Sequence, residues 1–389
     1  MISKSSLKNI MILIFFAWVL YMGSITMKSH YMSDFQSYYY GTTAAVEGLN
    51  PYRASSVAHI KGENVPTYIH FAYAPYMLPI FWPLTKLPYE SARLVFLAAK
   101  LLAAMALFCV WMKGFDLKRR TDPFVLAVLA IGAFHCTIRL DIIAGNISIF
   151  EQLFLWSGIA FFLRGKLKLA MIGILLAGLC KGPLIVFLGI FLFKPDAKNL
   201  HAMSEGVASF LVINLATFFC FPEISLNFLQ NPNVLDSTGY TNPSLLVWII
   251  YDFVPFFKAV AGGSLNPQNV YKTLLFIFAA IFGFSYLFVM RKEEDRYKVA
   301  FFALAYGIMV PRMKDYSFVL QIMPALFVLD RLKNVGRYVV LVLLSITLWP
   351  YYHLFTQIML ISILIFVSSG VTFKPKATSS KQDKRLLAS

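Results

Sequence analysis

The sequence holds no charged residue from Ile10 to Met27, and apolar runs of comparable length recur along most of the chain. As a helix rising about 1.5 Å per residue, such a run is about long enough to cross a hydrocarbon core of roughly 30 Å. In lipid the backbone has no water to bond, so runs of this kind are restricted to helices. With 59% of 389 residues hydrophobic and 14% charged, the composition is that of an all-α integral membrane protein. The first run lacks a small-residue cleavage site and carries Phe15, Phe16, Trp18 and Tyr21, so it reads as a retained anchor rather than a signal peptide.

A net charge of +16 in a soluble chain points to nucleic acid, but here the basic residues occupy short loops and tails between apolar runs. Lys4 and Lys8 precede the first span. Lys113, Lys118, Arg119 and Arg120 form one loop, Arg164, Lys166 and Lys168 a second, Arg291, Lys292, Arg296 and Lys298 a third, and Arg331, Lys333 and Arg337 a fourth. Lys374, Lys376, Lys381, Lys384 and Arg385 close the chain. The positive-inside rule makes these clusters cytoplasmic, so the charge reports topology and contact with anionic lipid, with no nucleic-acid partner.

Threading the chain through that constraint leaves residues 28–90 and 222–270 as outer segments, with crossings near 93–112, 123–144, 147–163, 205–221, 271–290, 299–311, 317–330, 338–355 and 356–373. The stretch 169–193 is broken at Cys180-Lys181-Gly182-Pro183 and reads as two short helices meeting near the outer side. The expectation is one polytopic domain over 1–373 with about 10–12 transmembrane helices, and a basic cytoplasmic tail over 374–389. Residues 71–84, interrupted by Pro75, Pro79 and Pro83, are too short to span and read as interfacial or re-entrant, as does 244–257 with Trp248 and Tyr251. Asn231-Pro232-Asn233 and Tyr240-Thr241-Asn242-Pro243 read as turns.

This path gathers the charges that topology does not require on the outer side: Asp34, Arg139, Asp141, Lys181, Arg312, Lys314 and Asp315. Ionisable groups at such depth are costly and mark function. Mutual neutralisation, for example of Arg139 by Asp141 or Lys314 by Asp315, is the competing account. Tyr38, Tyr39 and Tyr40 suit either a sugar platform or an aromatic belt, Lys181 either a phosphate contact or a helix end, and Asn50-Pro51-Tyr52 either a turn or a ligand contact.

Several chemistries are set aside. Cys109, Cys136, Cys180 and Cys220 are dispersed without metal spacing, the six histidines form no ligand pair, and neither a GxxxxGK[ST] loop nor a GxSxG elbow occurs. No Asp-x-Asp pair stands on the outer side. What remains is a carboxylate at a bilayer edge, cations suited to phosphate and aromatic groups suited to sugars, the requirements of a lipid-phosphate-linked sugar. A transporter or flippase of such a lipid, with its site at the break near Lys181, is the other reading left open.

The chain resembles glycosyltransferase family 87 of the GT-C superfamily in Asp34 with Tyr38 to Tyr40, Gly48-Leu49-Asn50-Pro51-Tyr52, Tyr73-Ala74-Pro75 with Pro79 and Pro83-Leu84, Arg139 with Gly145-Asn146, Gly178-Leu179-Cys180-Lys181, and Pro311 through Tyr316. The resemblance covers roughly residues 10–330. It implies a GT-C-like helical bundle in the inner (plasma) membrane, moving a sugar, by analogy mannose, from a polyprenyl-phosphate donor to a glycolipid or glycan acceptor on the outer face. No cofactor or metal is implied, since the lipid-linked sugar is itself the substrate. Asp34 matches the acidic residue regarded as the general base, Arg312, Lys181 and Arg139 are the expected contacts of the donor phosphate, and Tyr38, Tyr39, Tyr73, Asn146, Lys314 and Asp315 those of sugar or acceptor. Asn146 replaces a glutamine of many relatives, and Arg312-Met313-Lys314-Asp315-Tyr316 lacks a histidine that many relatives carry near Tyr316.

Overall fold

The computed structural model describes residues 3–29, 32–63, 70–117, 119, 121–230, 244–263, 265–288, 290–310, 313–330, 332 and 334–345. Among these the only regular elements are helices, without strands. The elements are α1 (Lys4–Ser29), α2 (Ser33–Val46), α3 (Ala54–Lys61), α4 (Leu78–Phe81), α5 (Tyr89–Gly114), α6 (Asp122–Ala144), α7 (Ser148–Leu163), α8 (Leu167–Cys180), α9 (Ala197–Cys220), α10 (Pro222–Gln230), α11 (Leu245–Trp248), α12 (Val254–Ala261), α13 (Pro267–Phe288), α14 (Asp295–Met309), α15 (Ile322–Leu329) and α16 (Asn334–Ser345). Tight 3₁₀ segments cover Gly182–Phe193 and Asp315–Gln321. Among the described residues five helices, α1, α5, α6, α9 and α13, are long and apolar enough to cross a membrane. This is a multi-pass membrane protein.

The shorter segments reach further than their residue counts suggest. Gly182–Phe193 has 12 residues, and at about 2.0 Å rise per residue a 3₁₀ helix of that length extends about 24 Å. The 14-residue α8 before it extends about 21 Å at α-helical rise. The two meet at Lys181, whose extended backbone breaks the helix where the sequence places the break. The expected spans at 317–330 and 205–221 are altered: the first is a 3₁₀ segment continued by α15, and the second begins earlier, at Ala197, capped by Asp196 accepting from the Asn199 amide at 2.8 Å. The expected crossing at 356–373, the tail 374–389 and the turns at 231–233 and 240–243 lie outside the described residues.

The loops sort into two ends. Arg164 donates to the Lys113 carbonyl at 2.9 Å, Arg119 to the Asp330 carbonyl at 2.7 Å, and Lys4 to the Leu117 carbonyl. Ion pairs join Arg337 to Asp122 at 2.5 Å, Arg296 to Asp330 at 3.5 Å and Lys194 to Asp295 at 2.5 Å. The basic loops therefore share one end of the bundle. Behind them α7 packs closely on α8, where a Cβ on Gly173 would lie 2.8 Å from the Gly158 Cα.

The opposite end is built by α2, α3 and the short turns over 75–86, all within the segment 28–90 expected on the outer side. Arg93, buried on α5, donates at 3.4 Å to both the Thr26 and Met27 carbonyls and so caps α1. Asn50 accepts from the Tyr52 amide at 2.9 Å, as its turn signal implies. That turn and α2 clamp residues 70–73: Phe71 donates its amide to Pro51 at 3.0 Å, Ser37 donates to the His70 carbonyl, and Tyr52 donates to the Tyr73 carbonyl at 3.0 Å.

Candidate active site

Asp34 sits in the first turn of α2, half-buried, four residues before Tyr38 and thus on the same helix face. Its Oδ2 accepts from Asn146 Nδ2 at 2.6 Å. The same Nδ2 reaches the Tyr73 hydroxyl at 3.2 Å, which in turn lies 3.1 Å from the Tyr38 hydroxyl. The amide orientation of Asn146 is fixed by its own oxygen, which accepts from the Ser148 amide at 2.9 Å and the Ser148 hydroxyl at 2.8 Å, leaving the NH₂ to face Asp34. Burial raises the Tyr38 phenol well above its ordinary range, reinforced by the neighbouring Tyr73 and Asp34. Burial, then the Asp34 charge, raises Tyr73 likewise. Both remain O–H donors and neither serves as a base.

Asn146 is held from behind. Gly145, in the left-handed conformation at φ +70°, ends α6 and starts the turn into α7. A Cβ there would lie 2.8 Å from Met32 Cε and 3.1 Å from Phe35 Cβ, so glycine lets α2 approach closely. Lys100 of α5 donates to the Asn146 carbonyl and pairs with Asp141 Oδ2 at 2.5 Å, both side chains being fully buried. Asp141 is therefore neutralised by Lys100 and not by Arg139, correcting the pairing considered from sequence. Asp34 has no ion pair among the described residues, so of the two carboxylates it is the one without a cation partner there.

A second cluster stands beside the first. Lys181 Nζ donates to Ser317 Oγ at 2.8 Å and lies 3.7 Å from Glu151 Oε1. The Asp315–Gln321 segment is fixed there by Thr137, which donates to the Asp315 carbonyl at 2.8 Å, and by Gln321, which donates to the Ala303 carbonyl at 2.9 Å. Thr137 follows a left-handed turn inside α6 at Phe134, His135 and Cys136 (φ 51°, 62° and 53°). Such a conformation costs about 1–2 kcal/mol per non-glycine residue and concentrates at sites that need an exact placement. Glu151 lies three residues beyond Ser148 on α7, and Ser148 holds Asn146, so the two clusters are neighbours.

The expected site residues thus divide. Asp34, Tyr38, Tyr73 and Asn146 form one connected network, with Lys181 in the adjacent cluster. The Tyr38 ring is buried and stacked on Phe81 at 4.7 Å, so only its hydroxyl reaches the network. Tyr39 turns away, donating to the Leu87 carbonyl at 2.8 Å, and packs with Tyr40 and Tyr89. Arg139 is exposed on α6 and makes no hydrogen bond or ion pair among the described residues, Lys314 and Asp315 are half-buried beside Ser317, and Arg312 lies outside the described residues. The sequence reading passed over Lys100, Glu151 and Gln152. Each is a polar residue inside an apolar run, which is itself the signal that would have found them.

A family model described as Glycosyltransferase family 87 matches residues 71–311, more than half of the chain. The chain belongs to glycosyltransferase family 87. It is a membrane glycosyltransferase, which sets aside the carrier reading. The family 87 match takes in Tyr73, Arg139, Asn146, Glu151 and Lys181 but begins after Asp34 and stops one residue before Arg312. The assignment of Asp34 therefore stands on its contact with Asn146, inside the family 87 region, rather than on the family match. A search of curated proteins finds no match.

Proposed function

We propose that this family 87 enzyme transfers a sugar, mannose by resemblance, from a polyprenyl-phosphate donor to a hydroxyl of a glycolipid or glycan on the outer face of the inner membrane. The observation that carries the reading is the half-buried Asp34 carboxylate, oriented by Asn146 at 2.6 Å and unpaired among the described residues. The acceptor oxygen attacks the anomeric carbon from the face opposite the phosphate and gives its proton to Asp34. The anomeric C–O bond breaks and its electron pair leaves on the phosphate oxygen, so configuration inverts. General-base assistance of this kind is worth roughly 10²–10⁴-fold. Lys181, a movable point charge held by Ser317, offsets the charge gained by the leaving phosphate. Arg312 remains a candidate for the same role, whereas Arg139, exposed on α6, is a weaker one. The phosphate ester bond supplies the driving force, and neither metal nor nucleotide takes part in this scheme.

The test is reconstitution in vesicles with polyprenyl-phosphate mannose and a panel of acceptor glycolipids. A mass-identified glycoside with one polyprenyl phosphate released per transfer is expected. Transfer from a nucleotide sugar alone, with none from any lipid-phosphate sugar, contradicts the reading.

A further inference from the structure

Glu151 and Gln152, adjacent on α7, are each only 1% exposed, and Gln152 Nε2 donates to Glu151 Oε1 at 3.4 Å. Glu151 Oε2 and Gln152 Oε1 nevertheless have no hydrogen-bond partner among the described residues. Two adjacent buried acceptors without a donor are costly, and native proteins meet such groups with ordered water. Both side chains line a small space shared with Lys181 and Ser317 and otherwise walled mainly by apolar groups such as Leu184 and Leu320. It has room for about one water molecule, and its polar wall supplies the two to four partners that a buried water needs.

The donors of Lys181 indicate what such a water does. A lysine ammonium carries three N–H donors. One goes to Ser317 Oγ at 2.8 Å. Glu151 Oε1, 3.7 Å from Nζ, is near enough to pair in charge but beyond hydrogen-bond reach. A water in the shared space accepts the second N–H of Lys181 and gives its own two hydrogens to Glu151 Oε2 and Gln152 Oε1, so that both stranded acceptors are satisfied. The third N–H of Lys181, whose side chain is 24% exposed, is left for an anion arriving from outside. We propose that Glu151 and Gln152 hold one ordered water which, together with Ser317, fixes Lys181 for the donor phosphate. Lysine is a flexible point charge, and a cation held in place beforehand stabilises a leaving group without reorganising during the reaction. Glu151 and Gln152 are thus positioning residues, acting through Lys181 without touching the substrate. The inference rests on the reading of Lys181 as the contact of the leaving phosphate and adds the groups that hold it there.

The experiment uses the full-length protein in lipid nanodiscs. A density map of the wild type that resolves water is expected to show one ordered water within hydrogen-bond distance of both Glu151 Oε2 and Gln152 Oε1, and a map without it overturns the inference. Glu151→Gln keeps the side-chain shape and removes the countercharge, whereas Gln152→Leu removes one acceptor. Each is expected to lower single-turnover transfer from polyprenyl-phosphate mannose, at saturating donor, by about 10-fold. In a Lys181→Gln background each is expected to cost no more than about 3-fold further, because the group they position is already gone. A merely structural role would instead multiply the losses in full, and that result also overturns the inference. If Lys181→Gln alone transfers at the wild-type rate, Lys181 does not meet the phosphate and there is nothing for the water to position. Wild type that transfers from no polyprenyl-phosphate sugar is a different failure, since it removes the donor reading itself and this inference with it.

Discussion

Replacing Lys100 by methionine removes the partner of Asp141 and the anchor of the Asn146 carbonyl in one step, while keeping side-chain length. Both members of the Lys100–Asp141 pair are fully buried at 2.5 Å separation, so the single substitution strands a buried carboxylate. Breaking such a pair from one side costs about 3–5 kcal/mol. At about 2 °C per kcal/mol, the lower end of the range for large domains, this is roughly 6–10 °C in Tm. Adding Asp141→Leu removes the stranded charge, and replacement of a whole buried pair by apolar groups is often neutral, so the double variant should recover most of that loss. Its turnover should not recover, because the Asn146 carbonyl then lacks the Lys100 donor that anchors the turn against Asp34. Thermal unfolding in detergent and transfer by the reconstituted protein provide the two readouts. A double variant as unstable as Lys100→Met refutes the pairing argument. One that is stable and fully active refutes the claim that Lys100 positions Asn146.

Gly145→Ala should reduce turnover about 10-fold or more, since it adds roughly 1–2 kcal/mol of left-handed strain and a Cβ 2.8 Å from Met32 Cε. Retained activity would mean that α2 tolerates displacement. Tyr73→Phe removes one hydroxyl of the Asn146 network and should cost about 2- to 10-fold in kcat, with donor KM little changed. In a background without native cysteines, Ser55→Cys on exposed α3 should react with an impermeant thiol reagent from outside intact cells, whereas Lys166→Cys at the basic end should not. The reverse pattern would invert the topology.

The parts of this fold that were legible in the sequence are those where a residue's type conflicts with lipid. The break at Lys181 follows from Gly182-Pro183, and Asp34, Tyr73 and Asn146 converge because Asn50-Pro51-Tyr52 and Gly145 make the turns their residue types favour. Lys100 and Glu151 escaped notice because the apolar runs containing them were long enough to read as spans without regard to single charges. The left-handed turn at Phe134–Cys136 carries neither glycine nor proline, so only tertiary contacts, Thr137 with the Asp315 carbonyl among them, reveal it. The 3₁₀ course of Gly182–Phe193 is equally silent, since an apolar run does not distinguish one helical winding from another.

The claim on which the account turns is that Asp34 takes the proton of the acceptor. Asp34→Asn keeps the shape of the side chain and leaves a carbonyl to meet Asn146, so the protein should insert normally and bind polyprenyl-phosphate mannose with wild-type affinity. Single-turnover transfer by that variant, measured with donor saturating, is expected to fall by roughly 10²-fold or more. Transfer within about 3-fold of wild type would contradict the assignment and remove Asp34 from the chemistry.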